Sequence, residues 1–354
     1  MTTPSQIELH RRFPEWIQFE QILEQLRPHG QIHQLGTSTD GRYEFPLIGM
    51  SFGNPDPGAP ALVITGGVHG LERIGSQVAL ALMKYFAELI SWDNVLKSNL
   101  KSMRIGFFPI VNPLGVLNVT RANPNGVDLM RNAPVESSEK PTFLVGGHRL
   151  SPRLPWYRGP VGGQMETESK ALLSFVKDLV WQSKASISVD LHSGFGLRDR
   201  LWFPYARSKD PFPNLAQAHA LKDAFDRTYP HHVYVIEPQA HSYTTQGDLW
   251  DYAYEEFRHQ PNLNGRVFLP MALEMGSWLW VKKNPLQLFS SLGPFNPVKA
   301  HRKKRILRRH LPLFDFLVRA IMTPENWALL RPENEVNHHH RAMESWYQSP
   351  SKSA

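Results

Sequence analysis

The chain of 354 residues has no cysteine. That excludes a disulfide scaffold and a thiolate metal site, and it fits a reducing compartment. No stretch approaches the ~20 apolar residues that a membrane-spanning helix requires, so no membrane partner is expected. The opening residues Met1 to Arg12 lack the apolar segment and cleavage site of a secretory signal, which points to a cytoplasmic protein. No internal repeat is visible. Core material is plentiful, at 41% hydrophobic and 11% aromatic residues. The net charge of +7 raises the question of nucleic acid. Its strongest source, the run Lys299 to His310, reads as the solvated face of a helix, with attraction of an acidic substrate as the sharper alternative. Nucleic acid is not expected as a partner.

Apolar periodicity gives an outline of the fold. Trp16, Phe19, Leu23 and Leu26 fall at helical spacing and end near Pro28-His29-Gly30, which predicts an opening amphipathic helix. Strand-like runs follow at 43–52, 61–65, 104–111, 186–191, 233–236 and 267–273. Helical patterns alternate with them at 74–89, 167–179, 214–225 and 249–257. Alternation of this kind predicts an α/β fold with a mixed, largely parallel twisted sheet covered by helices on both faces. The stretch 132–163 is rich in Pro and Gly and long for a loop, so it is expected to border a site. A helix over 305–321 should break at Pro312. The organisation expected is a helical lead-in at 1–35, one main domain at 36–298, a basic helix packed on it at 299–331 and a mobile tail at 332–354. The tail carries His338-His339-His340, but consecutive residues point apart on regular structure and are not expected to share a metal.

Two short segments carry the chemistry. Ala61-Leu62-Val63-Ile64 leads into His69 and Glu72, and Ile187-Ser188-Val189 leads into Asp190-Leu191-His192-Ser193. A His and a Glu three apart at a strand end can turn toward one point, and a second His at another strand end can join them. Two imidazoles and one carboxylate, with a position left for water, form the ligand set of a catalytic zinc.

Further segments follow in order. They are Asn112-Pro113-Leu114-Gly115, Arg121, Gly126-Val127-Asp128-Leu129-Met130-Arg131-Asn132, Tyr243, Gly247-Asp248-Leu249-Trp250-Asp251-Tyr252 and Leu273-Glu274-Met275-Gly276. In this order and spacing, from about Gly36 to about Trp278, the chain resembles the zinc carboxypeptidases of the carboxypeptidase A type. The resemblance implies one zinc per chain on His69, Glu72 and His192, with Glu274 as general base. It implies Asp128 as the partner of the first His, Arg121 as the cation facing the developing oxyanion, and Tyr243 as the tyrosine that closes over the substrate. It assigns the substrate's terminal carboxylate to Arg131 and places Trp250 at the wall of the terminal side-chain pocket. Asp248, two residues away, could supply an acid there. Digestive relatives carry a signal and an inhibitory pro-domain; here the pattern begins too early for either, so a protein made in active form is expected.

Met130 departs from the family, which has Asn at this position to share the carboxylate contact. A thioether cannot donate a hydrogen bond. The expected function, favoured by Tyr243 and the Gly247-Asp248…Asp251-Tyr252 sequel, is a zinc hydrolase of a C-terminal amide bond of a peptide. Its rivals are an N-acyl amino acid deacylase, like succinylglutamate desuccinylase and aspartoacylase, and a non-catalytic binding protein on the same fold.

Overall fold

The computed structural model describes residues 4–263, 265–290 and 292–348. Eight strands build one sheet: β1 (Gly30–Thr39), β2 (Glu44–Gly53), β3 (Ala61–Gly66), β4 (Arg104–Phe108), β5 (Ala185–Ser193), β6 (Arg200–Phe203), β7 (Val235–Pro238) and β8 (Val267–Met275). Their order across the sheet is β1-β2-β4-β3-β5-β8-β6-β7. The central strands β4, β3, β5 and β8 run parallel, whereas β1/β2, β2/β4 and β8/β6 pair antiparallel. The sheet is mixed with a parallel centre, as expected. Every residue of β3 and β5 is buried, which is the signature of strands covered on both faces.

The helix Arg73–Trp92 follows β3 and buries Ile74, Val78, Leu82 and Phe86 along one side. Thr167–Val180, Leu215–Thr228 and Leu249–Arg258 are the other helices anticipated from periodicity. The opening helix is Pro14–Leu26, preceded by a shorter one at Gln6–Arg12. The lead-in does not stay helical to residue 35, because β1 begins at Gly30 and joins the sheet edge. The break near Pro312 is present: one helix covers Ala300–Arg309, the next Leu311–Met322, with Pro312 in the first turn of the second.

The expected mobile tail is a correction. Its described part forms a helix, Pro332–Ala342, continued by a π-helical turn, Met343–Gln348. Side chains dock it on the helix Leu215–Thr228: His338 Nδ1 meets His219 Nδ1 at 2.9 Å, and Gln217 donates to Glu335 at 3.0 Å. Trp346 packs edge-on against Phe203 at 4.9 Å and donates to the Ile236 carbonyl. Tyr347 packs on the His241 ring at 5.3 Å, so a few apolar anchors and a polar face hold a segment whose low hydropathy suggests solvent. The tail residues 349–354 lie outside the described residues.

The close approach of the helix Arg73–Trp92 to β5 depends on Gly75. A Cβ built on Gly75 would stand 2.2 Å from the Leu191 carbonyl oxygen of β5, a contact with backbone that no side-chain rotation relieves. Gly75→Ala should therefore cost roughly 1–3 kcal/mol of stability, the usual penalty of overpacking. Gly58→Ala, with its nearest atom at 3.4 Å, should stay within about 0.5 kcal/mol of the parent. Denaturant unfolding of both variants checks the difference.

Candidate active site

In a parallel sheet, ligands gather at the carboxyl ends of the strands, and the candidate ligands lie there. β3 ends at Gly66, Gly67 turns the chain at φ +70, and His69 and Glu72 follow just before the helix Arg73–Trp92. His192 lies near the end of β5. His69 Nδ1 approaches Glu72 Oε1 at 2.9 Å, and His192 Nδ1 approaches Glu72 Oε2 at 3.2 Å. The backbone N–H of Ser193 also donates to Glu72 Oε2 at 2.9 Å. One ligand atom from each of the three residues lies within 4.8 Å of the others, and all three residues are buried.

The opposite ring nitrogens are already committed. His69 Nε2 faces Asp128 Oδ1 at 3.0 Å, and His192 Nε2 faces Asp190 Oδ2 at 2.6 Å. A carboxylate behind each imidazole fixes its tautomer and raises its basicity as a ligand. This leaves both Nδ1 atoms and the Glu72 carboxylate for a metal, a nitrogen–oxygen donor set that fits zinc. Sequence reading picked out Asp128 but missed the role of Asp190. The signal was there: residues i and i+2 of a strand share one face. Asp190 is completely buried and fully used, accepting also from Thr65 Oγ1 at 2.8 Å and Trp250 Nε1 at 3.1 Å.

Arg121 closes the charge network. Its Nε donates to Asp128 at 2.8 Å and its Nη1 to Glu72 at 3.1 Å. Burial disfavours the Asp128 anion, but Arg121 and His69 beside it hold the carboxyl well below the usual range. Burial likewise opposes charge on His192, yet Asp190 and Glu72 hold the imidazole well above its ordinary value. A metal ligand nitrogen must be unprotonated, so a divalent ion held here would displace any proton from it.

Glu274 is the penultimate residue of β8, directly beside His192, its register partner on β5. Its Oε1 accepts the Phe195 N–H at 3.0 Å. Burial, then the Glu72 charge, push its carboxyl up to about 8. A cation held by the three ligands would offset that repulsion and favour the ionised form of Glu274. The cleft of about 140 Å³ is lined by the three candidate ligands together with Glu274, Arg121, Met130, Arg131 and Tyr243. Tyr243 packs against Phe195 and Trp202, with ring centroids 5.6 and 5.9 Å away. Arg131 is 3% exposed; its Nε donates to the Val145 carbonyl at 3.4 Å and its Nη1 to the Met130 carbonyl at 3.2 Å, two of its five N–H groups. Among the described residues it has no ion pair with a carboxylate. The long loop 132–163 borders the cleft through Val145 and Trp156. Phe295, from the segment after the last strand, joins the wall without any local sequence signal.

Two residues stand elsewhere than expected. Trp250 does not wall the cleft, because its indole N–H is needed by the buried Asp190. Asp248 caps the helix Leu249–Arg258 by accepting the N–H groups of Trp250 and Asp251, both at 3.0 Å. Burial pushes its carboxyl up, away from the charged form. Both residues border a separate small void behind Trp202 and Ala272.

A model of the family described as zinc carboxypeptidase matches residues 17–276. The chain belongs to the zinc carboxypeptidase family. Among curated relatives, carboxypeptidase D of Drosophila melanogaster is 24% identical over 306 residues, covering 81% of this chain and 20% of that protein. The carboxypeptidase N catalytic chain of Rattus norvegicus is 26% identical over 211 residues, covering 52% of this chain and 44% of the relative. The chain thus spans less than half the length of either. Among solved structures, bovine thrombin-activatable fibrinolysis inhibitor in complex with tick carboxypeptidase inhibitor superposes with a TM-score of 0.59 at 18% identity, covering 90% of this chain and 97% of that one. Carboxypeptidase A from Helicoverpa armigera gives 0.58 at 13% identity, covering 93% and 72%. At these identities the superpositions show the fold alone, a carboxypeptidase A-like sheet.

Zinc is the metal the carboxypeptidase family implies, and His69, Glu72 and His192 can hold it. His192→Ala should lose most of the metal, since two protein ligands rarely suffice. Asp190→Asn should weaken zinc binding about 10- to 100-fold by removing the carboxylate behind His192. Metal analysis after dialysis against graded chelator, on protein purified without metal-affinity resin, checks both.

Proposed function

We propose that the protein is a metallocarboxypeptidase that removes the terminal residue of a peptide, using one zinc per chain on His69, Glu72 and His192. The observation that carries the reading is Arg131, a buried guanidinium lining the same cleft as Glu274, in no ion pair with a carboxylate among the described residues. A planar fork of this kind suits a substrate's terminal carboxylate. When bound, zinc supplies polarisation of the scissile carbonyl and acidification of a water. Glu274, ionised, accepts the proton of the attacking water and delivers it to the leaving amine. Arg121, fixed between Asp128 and Glu72, offers positive charge where the carbonyl oxygen becomes negative, and needs no reorganisation to do so. Tyr243 covers the substrate from the Phe195 and Trp202 side.

The cleft also bears on the terminal side chain. Its walls include Met130, Val145, Phe195, Trp202, Ala272 and Phe295, and its acids are Glu72 and Glu274. Asp248 caps its helix through Oδ1 alone; its Oδ2, buried and without a hydrogen-bond partner, borders the void that adjoins the cleft at Trp202 and Ala272. The apolar walls suit an apolar terminal side chain, while the open Oδ2 of Asp248 is the group that could meet a basic one.

Deacylation of an N-acyl amino acid is kept as a second reading because Met130 lines the cleft at the position where the family shares the carboxylate contact. Glu274→Gln should keep zinc and fold but lose at least ~10²-fold in kcat, the scale of general-base catalysis. The rise of kcat with pH through the Glu274 pKa should vanish with it. Near-native turnover in that variant would remove Glu274 from the mechanism.

Arg131→Ala should raise KM for peptides with a free C-terminus by about 30- to 150-fold, equal to roughly 2–3 kcal/mol for a charge-assisted bidentate contact. Met130→Asn should improve kcat/KM on the same peptides by adding a donor. If Met130→Asn folds and shows no gain, while N-acyl amino acids are hydrolysed, the deacylase reading takes precedence.

A further inference from the structure

The positive charge of the molecule is concentrated in one stretch. From Met275 to Phe314 there is no Asp or Glu, but nine of the chain's 39 Lys and Arg. The remaining 30 face 32 acidic residues elsewhere, so the rest of the chain is close to neutral. Two elements carry the charge, the helices Trp278–Lys283 and Ala300–Arg309. Arg302 joins them, donating to the carbonyls of Trp280 and Lys283 at 3.1 and 3.2 Å. Ile306 anchors the second helix inward, and Arg309 pairs with Asp199. On its outer side Lys304, Arg305 and Arg308 are exposed, as are Lys282 and Lys283 on the first. Among the described residues, none of these five forms an ion pair.

The segment between the two helices is unusually apolar for a surface. Phe289 is 90% exposed and Leu286 74%, with Leu288 and Val298 each at 45%. Large aliphatic and aromatic side chains in water, flanked by unpaired cations, form a patch with two demands. The cations call for a polyanion, and the apolar tip calls for removal from water.

We propose that this face docks on the surface of an anionic lipid bilayer. Acidic headgroups satisfy Lys282, Lys283, Lys304, Arg305 and Arg308, while Leu286 and Phe289 enter the boundary between headgroups and acyl chains. Nucleic acid would use the cations but leave Leu286, Leu288 and Val298 exposed or facing phosphates, since its interfaces are polar. The patch adjoins the cleft. Phe295 belongs to the same apolar segment and lines the cleft, its carbonyl accepting from Ser193 Oγ at 2.7 Å. Trp278 donates to the Gly194 carbonyl at 3.0 Å. Docking in this way brings the cleft next to the bilayer, where peptides held at the lipid surface are concentrated.

Co-sedimentation of the zinc-loaded full chain with phosphatidylcholine vesicles, with and without phosphatidylglycerol, tests the proposal. Binding is expected only with the anionic lipid, and it should disappear in 1 M salt, where the screening length falls to about 3 Å. Lys304→Glu/Arg305→Glu/Arg308→Glu should lower partitioning at least ~100-fold, at about fivefold for each cation lost. Leu286→Ser/Phe289→Ser should lower it at least ~10-fold with all charges retained. Hydrolysis of a soluble peptide should be unchanged in both. If the triple variant fails to fold, Lys282→Glu/Lys283→Glu on the neighbouring helix takes its place. Equal binding to both vesicle types would overturn the proposal. So would full retention by the Leu286/Phe289 variant, and duplex DNA binding that depends on the cations alone would replace the bilayer with nucleic acid.

Discussion

The buried carboxylate of Glu72 is the constraint on which the site depends. A charge removed from water must be met by hydrogen-bond donors or opposite charge, at a cost of several kcal/mol if it is not. Glu72 is met by two imidazoles, the Arg121 guanidinium and the Ser193 N–H. Those partners come from the loop after β3, the end of β5 and the segment that follows the helix Pro113–Asn118. The requirement propagates outward. Each imidazole needs a carboxylate behind it, so Asp128 and Asp190 are buried too, and Asp190 in turn needs Thr65 and Trp250. Negative and positive groups alternate through several layers until the network reaches neutral donors.

This layering explains where the sequence was legible. The ligands stand out because each follows an apolar strand, and the strand periodicity of β3, β5 and β8 places them at one end of a parallel sheet. Glu274 and Arg121 needed the family pattern, since a Glu at a strand end and an isolated Arg have many ordinary roles. Asp190 was visible two residues before His192 and went unassigned. The resemblance puts Trp250 at the pocket wall, but the buried Asp190 has first claim on its N–H.

The fold shows the same division. Strand β1, Gln- and Thr-rich with glycines, sits at the sheet edge with all but one residue exposed or half exposed, so it lacks the apolar run that reveals central strands. Strand β6 has only four residues, too few to show a period. The helix Pro332–Ala342 carries little apolar surface of its own, and its docking depends on partners more than a hundred residues away, His219 and Gln217 among them. Tertiary contact can order a polar segment that local pattern assigns to solvent.

The pairing of His192 with Glu274 across β5 and β8 has a consequence for how such a molecule can diversify. The spacing between ligand and base is set by the strand-to-strand hydrogen bonds, about 4.8 Å in any sheet, and by no loop. The walls of the cleft, by contrast, come from the 132–163 loop and from the segment that carries Phe295. Those segments can lengthen, shorten or exchange residues while the reacting groups keep their separation. Substrate preference and chemistry are inherited through different parts of the chain, so one can drift while the other stays fixed.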